Sequence, residues 1–224
     1  KSKKWFRSWF KSRTKFSMTF ALFLSLAFAH LVAVISPGPD FFYIVKSAFQ
    51  RGFINSFFSA IGIGFGVFLQ CLFSILGLSV LYSIIPNLYL IIGSLGALYL
   101  VYIGFMGLIS KSTDISNEDP TNRTPVSALK SFFGGVTVNV LNVKAFVFFA
   151  ALFGGVIDEL TLNEELSISL YFFITTALWF IFLSFTLAKG IKTLINVETQ
   201  NKIITISSVS LIIVGIGLGV YIWT

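Results

Sequence analysis

The sequence predicts an all-α polytopic membrane protein. Six transmembrane helices are expected as two inverted three-helix repeats, with the first and fourth helices interrupted. Three observations carry this expectation. The 224 residues are 56% hydrophobic and only 11% charged, where a soluble domain is about 25% charged. Six apolar runs are each long enough to cross a hydrocarbon core, which takes roughly 20 residues of helix. Two of these runs, one in each half, are broken by polar, helix-unfriendly stretches: SPGPD at 36–40 and NVLNVK at 139–144.

The six runs cover about 17–36, 56–81, 88–109, 132–157, 166–188 and 203–223. In lipid each segment must satisfy its own backbone polar groups, and the runs lack the apolar–polar alternation of a barrel strand, so they read as helices. The first run follows a basic tail yet is expected to stay uncleaved. It is longer than a signal peptide's apolar region of about 7–15 residues, and Ser-Pro-Gly-Pro is not a small-x-small cleavage site. The expected organisation is a basic aromatic tail over 1–16, a first three-helix half over 17–110, a polar cytoplasmic linker over 111–131 and a second half over 132–224. Three crossings per half would make the second run inverted to the first.

The net charge of +7 belongs to the tail, where residues 1–15 carry seven bases and no acid. The remainder is balanced, so no basic surface is left for nucleic acid. Trp5, Phe6, Trp9 and Phe10 recur at i,i+4 in the tail, which reads either as an interfacial anchor on anionic lipid or as a disordered extension. Outside the tail, Lys46, Arg51, Lys111, Arg123, Lys130, Lys189, Lys192 and Lys202 all fall in the first, third and fifth connections. The positive-inside rule puts those connections in the cytoplasm and both termini outside. The tail's own bases count the other way, which leaves the side holding the tail open.

A single Cys71 excludes an intrachain disulfide and a Cys-rich metal or redox site. One histidine does not make a His-rich metal site. The absence of HExxH, Cys-x-x-Cys and GxSxG leaves no enzyme signature. No catalytic residue, metal or cofactor is expected.

The candidate site is the pair of breaks. Pro37 and Pro39 donate no backbone hydrogen bond and oppose helix before them. Gly38 between them permits unusual dihedrals, and Asp40 can start a new helix as an N-terminal acid. One reading is a sharp stop and cap at the membrane edge. The other is a broken helix lining a cavity, where freed carbonyls meet an ammonium group and helix N-terminal amides a carboxylate. Matching interruptions in two halves favour the second reading. Asp40 at membrane depth would bind a cation or relay a proton, while Lys46 reads as an interfacial snorkeller. Asn139 and Asn142 share a helix face, and Lys144 lies off that face unless the helix unwinds locally. His30, the one histidine, can carry a proton or pack as a neutral hydrogen-bonded ring. Gln70 reads as a polar packing contact. The pairs Gly62/Gly66, Gly215/Gly219 and Gly93/Ala97 permit close helix approach.

With SPGPDFFYIV after the first run, GIGFG in the second and NVLNVKAFVFFAALF in the fourth, the chain from about 18 to 224 resembles the LysE/RhtB family of amino-acid exporters. The resemblance implies a six-helix protein of the bacterial inner membrane that exports amino acids or close derivatives by proton antiport. Its motif residues fall on Pro37, Gly38, Pro39, Asn139, Asn142 and Lys144. With Asp40, these are the expected substrate-binding residues; Asp40 and His30 are the expected proton carriers. Amino acid, protons and membrane lipid are the implied partners, and a homodimer stays open. The family's second element usually reads Asn-Pro-Lys. Val143 stands at that proline here, which predicts a lesser bend in the fourth helix. The rivals are a divalent-metal or other small-solute exporter on the same scaffold, a redox carrier, which would need two thiols, and a non-transporting assembly factor.

Overall fold

The computed structural model of the chain describes residues 18–85, 88–109, 126–154, 156, 160–189 and 196–223. These form α1 (Phe20–Ile35), α2 (Pro39–Arg51), α3 (Phe53–Ile84), α4 (Leu88–Ile109), α5 (Ala128–Val140), α6 (Val143–Gly154), α7 (Leu162–Ala188) and α8 (Val197–Trp223). No strand occurs among the described residues. The tail over 1–16 and most of the 111–131 linker lie outside them.

Helices α3, α4, α7 and α8 are each long and apolar enough to cross a membrane. The pairs α1/α2 and α5/α6 meet the same test jointly, bent by 51° and 61° at their breaks. Counting each bent pair as one span gives six. The chain is therefore an all-α polytopic membrane protein whose first and fourth apolar runs are interrupted.

Several helices begin earlier than hydropathy predicts, because capping chemistry reaches into polar sequence. Helix α5 starts at Ala128 rather than near 132, where Ser127 Oγ accepts from Lys130 N at 3.3 Å. Helix α8 starts at Val197 rather than near 203, where Asn196 Oδ1 accepts from Thr199 N at 2.7 Å. In the acidic connection Thr161 and Glu164 form a reciprocal capping box at the start of α7. Glu164 Oε1 also accepts from Met18 N at 2.6 Å, fastening the start of α1 to α7. Each cap satisfies a backbone donor that a helix N-terminus leaves orphaned.

In a membrane, helices associate by close packing and hydrogen bonds rather than by escape from water. The small residues act accordingly. Gly62 and Gly66 let α5 approach α3, while Gly64 lies against Phe173 of α7. Gly215 lies against Ala97 and Val101, and Gly104 against Ser208 and Ile212, which closes α4 onto α8. The second helix of each half thus packs on its counterpart, α3 on α7, and the third on its own, α4 on α8.

Two buried clusters result. One gathers Cys71, Leu100, Phe148, Phe153 and Phe172, and the other Phe41, Ile44, Ile63, Phe180 and Leu183. The exposed large side chains, such as Leu76, Leu95, Phe105, Leu178 and Ile213, face outward as a lipid-contacting surface requires. The two breaks lie where the clusters meet.

Candidate functional site

The first break follows directly from proline chemistry. The final bond at the end of α1 runs from Ser36 N to Val32 O at 3.2 Å. Residues 37 and 39 are prolines, so the carbonyls of Ala33 and Ile35 have no donor four residues on. Pro39 then opens α2, with Asp40 in its first turn. Gly38 departs from expectation, since its φ of −168° is ordinary extended backbone. A Cβ there would stand 3.7 Å from Lys144 Nζ, a normal contact. Neither dihedral nor room demands glycine at this position.

The second break needs no proline. Leu141 is helical, and Asn142 N bonds to Asn139 O at 2.9 Å instead of continuing the ladder. Asn142 Oδ1 then accepts from Ala145 N at 3.4 Å and caps α6. Gln70 of α3 supplies the rest. Its Nε2 donates to Asn139 O at 2.5 Å and to Asn142 O at 3.4 Å, as a second donor to carbonyls that also accept from Asn142 N and Phe146 N. The 61° bend is larger than the 51° at the prolines, contrary to the expectation drawn from Val143. A side-chain amide from a neighbouring helix braces both sides of the break, so the bend does not depend on a missing donor.

The two breaks meet. Asp40 Oδ2 accepts from Asn139 Nδ2 at 2.9 Å and from Asn142 Nδ2 at 3.2 Å. Lys144 Nζ donates to Ser36 Oγ at 3.3 Å and stands beside Gly38. Continuous helix would have carried Lys144 off the Asn139 face; the break at 141–142 turns it into the site. Pro37 lies half-buried in the break itself. Lys46 is exposed on α2, away from these groups. Asp40 Oδ1 and Asn139 Oδ1 are buried with no hydrogen-bond partner. Buried polar atoms of this kind are rare and costly unless a ligand or water meets them.

A cavity lies against this junction, lined by Ser36, Gly38, Pro39, Asp40, Asn139, Asn142 and Lys144, with apolar walls including Val67, Leu100, Phe148 and Leu211. It offers about 50 Å³ to the centre of a water-sized sphere. One water needs ~10–15 Å³ on that measure, so the space exceeds a single water. Its walls hold one acid and one base, on opposite breaks, with no direct ion pair between them; the ion pair found among the described residues is Lys202–Glu198 on the surface of α8. Opposite charges separated across a small enclosed space suit a ligand carrying both signs.

His30 also lines the cavity and is fully buried. It stacks on Phe172 at 4.2 Å between ring centroids, with Nε2 3.0 Å from Thr176 Oγ1 and Nδ1 3.4 Å from Thr175 Oγ1. The sequence reading placed His30 near the site but missed Thr176, Ser36 and the bridging role of Gln70. No local signal marks them, because each acts across a helix boundary. Gly66, read from the Gly62/Gly66 pair as permitting close helix approach, does so at the site: a Cβ there would lie 2.8 Å from Asn139 Cβ and 2.9 Å from its Oδ1. Among the described residues, no group of three or more His, Cys, Asp or Glu side chains could hold a metal ion.

Two interrupted helices meeting at a charged cavity inside a bundle of apolar spans define a membrane transporter by their build. The chain belongs to the family described as LysE type translocator, which matches residues 31–222. It is 30% identical to the threonine efflux protein of Escherichia coli (strain K12) over 162 residues, 71% of this chain and 78% of that one. It is 23% identical to the leucine efflux protein of Klebsiella pneumoniae subsp. pneumoniae, over 81% of this chain and 86% of that one. It is also 33% identical over 142 residues to an uncharacterized membrane protein of Haemophilus influenzae, 62% of this chain and 68% of that one. No solved structure matches the chain.

Proposed function

We propose that the chain exports amino acids or close derivatives across the bacterial inner membrane in exchange for protons. The observation that carries the reading is the cavity shared by Asp40 and Lys144, one from each break, with Asp40 Oδ1 unpartnered. An amino acid is a zwitterion. Its ammonium matches Asp40 and its carboxylate matches Lys144 as a charge-assisted donor. Asn139 and Asn142 hold the carboxylate of Asp40 in place through Oδ2, which leaves Oδ1 toward the ligand. Gly38 and Pro39 contribute backbone on the same wall, and Pro37 shapes the break behind it. The efflux of threonine and leucine named for two relatives supports this substrate class.

Exchange with protons follows from the same oxygen. Asp40 can hold the substrate ammonium as a carboxylate or take a proton, and each state disfavours the other. Both ring nitrogens of His30 lie at threonine hydroxyls, which makes Asp40 the better carrier. The metal-exporter reading draws no support from the site, which offers one acid and one histidine among its lining residues.

The test is efflux from loaded cells over a panel of amino acids, with and without a pH gradient. Asp40→Asn and Lys144→Met should each lower export of the best substrate at least about tenfold, the worth of a charged hydrogen bond. Near wild-type efflux in both variants would sink the binding assignment. Efflux indifferent to the gradient would sink the antiport.

A further inference from the structure

We propose that Thr176, oriented by His30, is a specificity-determining residue of the cavity. Its hydroxyl oxygen acts there as an acceptor that reads a hydroxyl group on the side chain of an exported amino acid. The proposal rests on the export reading above and concerns the wall of the cavity away from the two breaks.

Proton accounting fixes the direction of each bond. A hydroxyl has one proton to donate and two lone pairs to accept with. Thr175 Oγ1 donates to the backbone, at 2.8 Å from Tyr171 O and 3.3 Å from Phe172 O. Toward His30 Nδ1, at 3.4 Å, it therefore only accepts. On a neutral ring Nδ1 then carries the proton, and Nε2 is the bare nitrogen. Thr176 Oγ1, 3.0 Å from Nε2, must then be the donor. The ring cannot easily turn away from this arrangement, since it is fully buried, stacked on Phe172 and set against Phe149. The single proton of Thr176 is held inside the protein, which leaves its oxygen an acceptor with no proton to offer.

Position makes this acceptor useful. His30 and Thr176 both line the cavity, and away from the breaks the wall is otherwise apolar, with Val67, Leu100, Ile103, Phe148 and Leu211. His30 precedes Ser36 by six residues on α1, roughly 9 Å along the axis. An amino acid held by its charged groups at Asp40 and Lys144 extends its side chain toward this wall. A side-chain hydroxyl there donates to Thr176. A methyl group of the same shape leaves the lone pair unmet in a dry wall, and a site built to bond a hydroxyl discriminates on that ground. Hydroxylated substrates should therefore exceed their apolar isosteres by about tenfold.

The experiment is counterflow by the full chain in proteoliposomes, using radiolabelled L-threonine against L-valine and L-serine against L-alanine. The wild type should favour the hydroxylated member of each pair about tenfold. Thr176→Val should bring both ratios to about one while valine and alanine still exchange, and Thr176→Ser should keep them. Wild-type ratios near one, or ratios unmoved in Thr176→Val, overturn the proposal alone and leave the export reading standing. Exchange of none of the four by the wild type overturns the proposal, and the efflux panel above then decides the export reading separately. Should Thr176→Val lose all four, Thr176→Ser decides: retained ratios support the proposal, and loss of all four again marks Thr176 as structural and overturns it.

Discussion

At the residue scale, the site is defined by what its side chains leave undone. Asp40 Oδ2 is doubly bonded while Oδ1 has no partner, and the two asparagine amides that hold it come from the opposite break. That geometry depends on Gly66. An alanine there would press its Cβ to 2.8 Å from Asn139 Cβ, closer than real contacts allow, and would push Asn139 off Asp40. Overpacking of this kind costs ~1–3 kcal/mol, so Gly66→Ala should reduce efflux about tenfold or more. Gly77 of the same helix has nothing within 4 Å of an added Cβ. Gly77→Ala should export at the wild-type rate, and equal rates for the two variants would contradict the positional argument.

At the element scale, the two bent pairs reach similar geometry by different chemistry. The first break is built into the backbone by two prolines. The second has no proline and is braced by a neighbour, since Gln70 donates to the carbonyls of Asn139 and Asn142 on either side of it. Val143 is exposed and is the first residue of α6, where a backbone N–H needs no helical acceptor. Proline is well suited to that position. Val143→Pro should therefore keep efflux within about twofold of wild type and leave thermal unfolding in detergent unchanged or raised. A large loss of stability would show that the N–H of Val143 has a partner that matters.

At the scale of the whole molecule, the bases outside the tail set an orientation. Asn163 at the start of α7 and Lys189 just beyond its end are both exposed. In a Cys71→Ala background, a cysteine at Asn163 should react with a membrane-impermeant thiol reagent from outside intact cells. A cysteine at Lys189 should react only after the cells are opened. The reverse pattern would invert the molecule. The pairing of α3 with α7 and of α4 with α8 encloses the junction of the two breaks within the bundle.

Much of this was legible in one chain. Hydropathy is a local property, so the apolar runs appear in the sequence, with ends displaced where Ser127, Asn196 and the Thr161–Glu164 pair cap helices within polar sequence, and with α2 falling in what hydropathy reads as a connection. Proline's missing donor is equally local, so the break at 37–39 could be read directly. The residues 139–144 stood out because amides and a lysine are expensive among Phe, Val and Ala. What the tertiary structure alone decided is which of these groups meet. Asp40 lies 99 residues from Asn139 and 102 from Asn142, and Lys144 lies 108 from Ser36. The larger bend at Asn142, the service of Gln70, the need for Gly66 and the hydroxyl of Thr176 at the cavity all depend on distances between helices. Such distances follow from packing across the whole bundle, and no local pattern of residues encodes them.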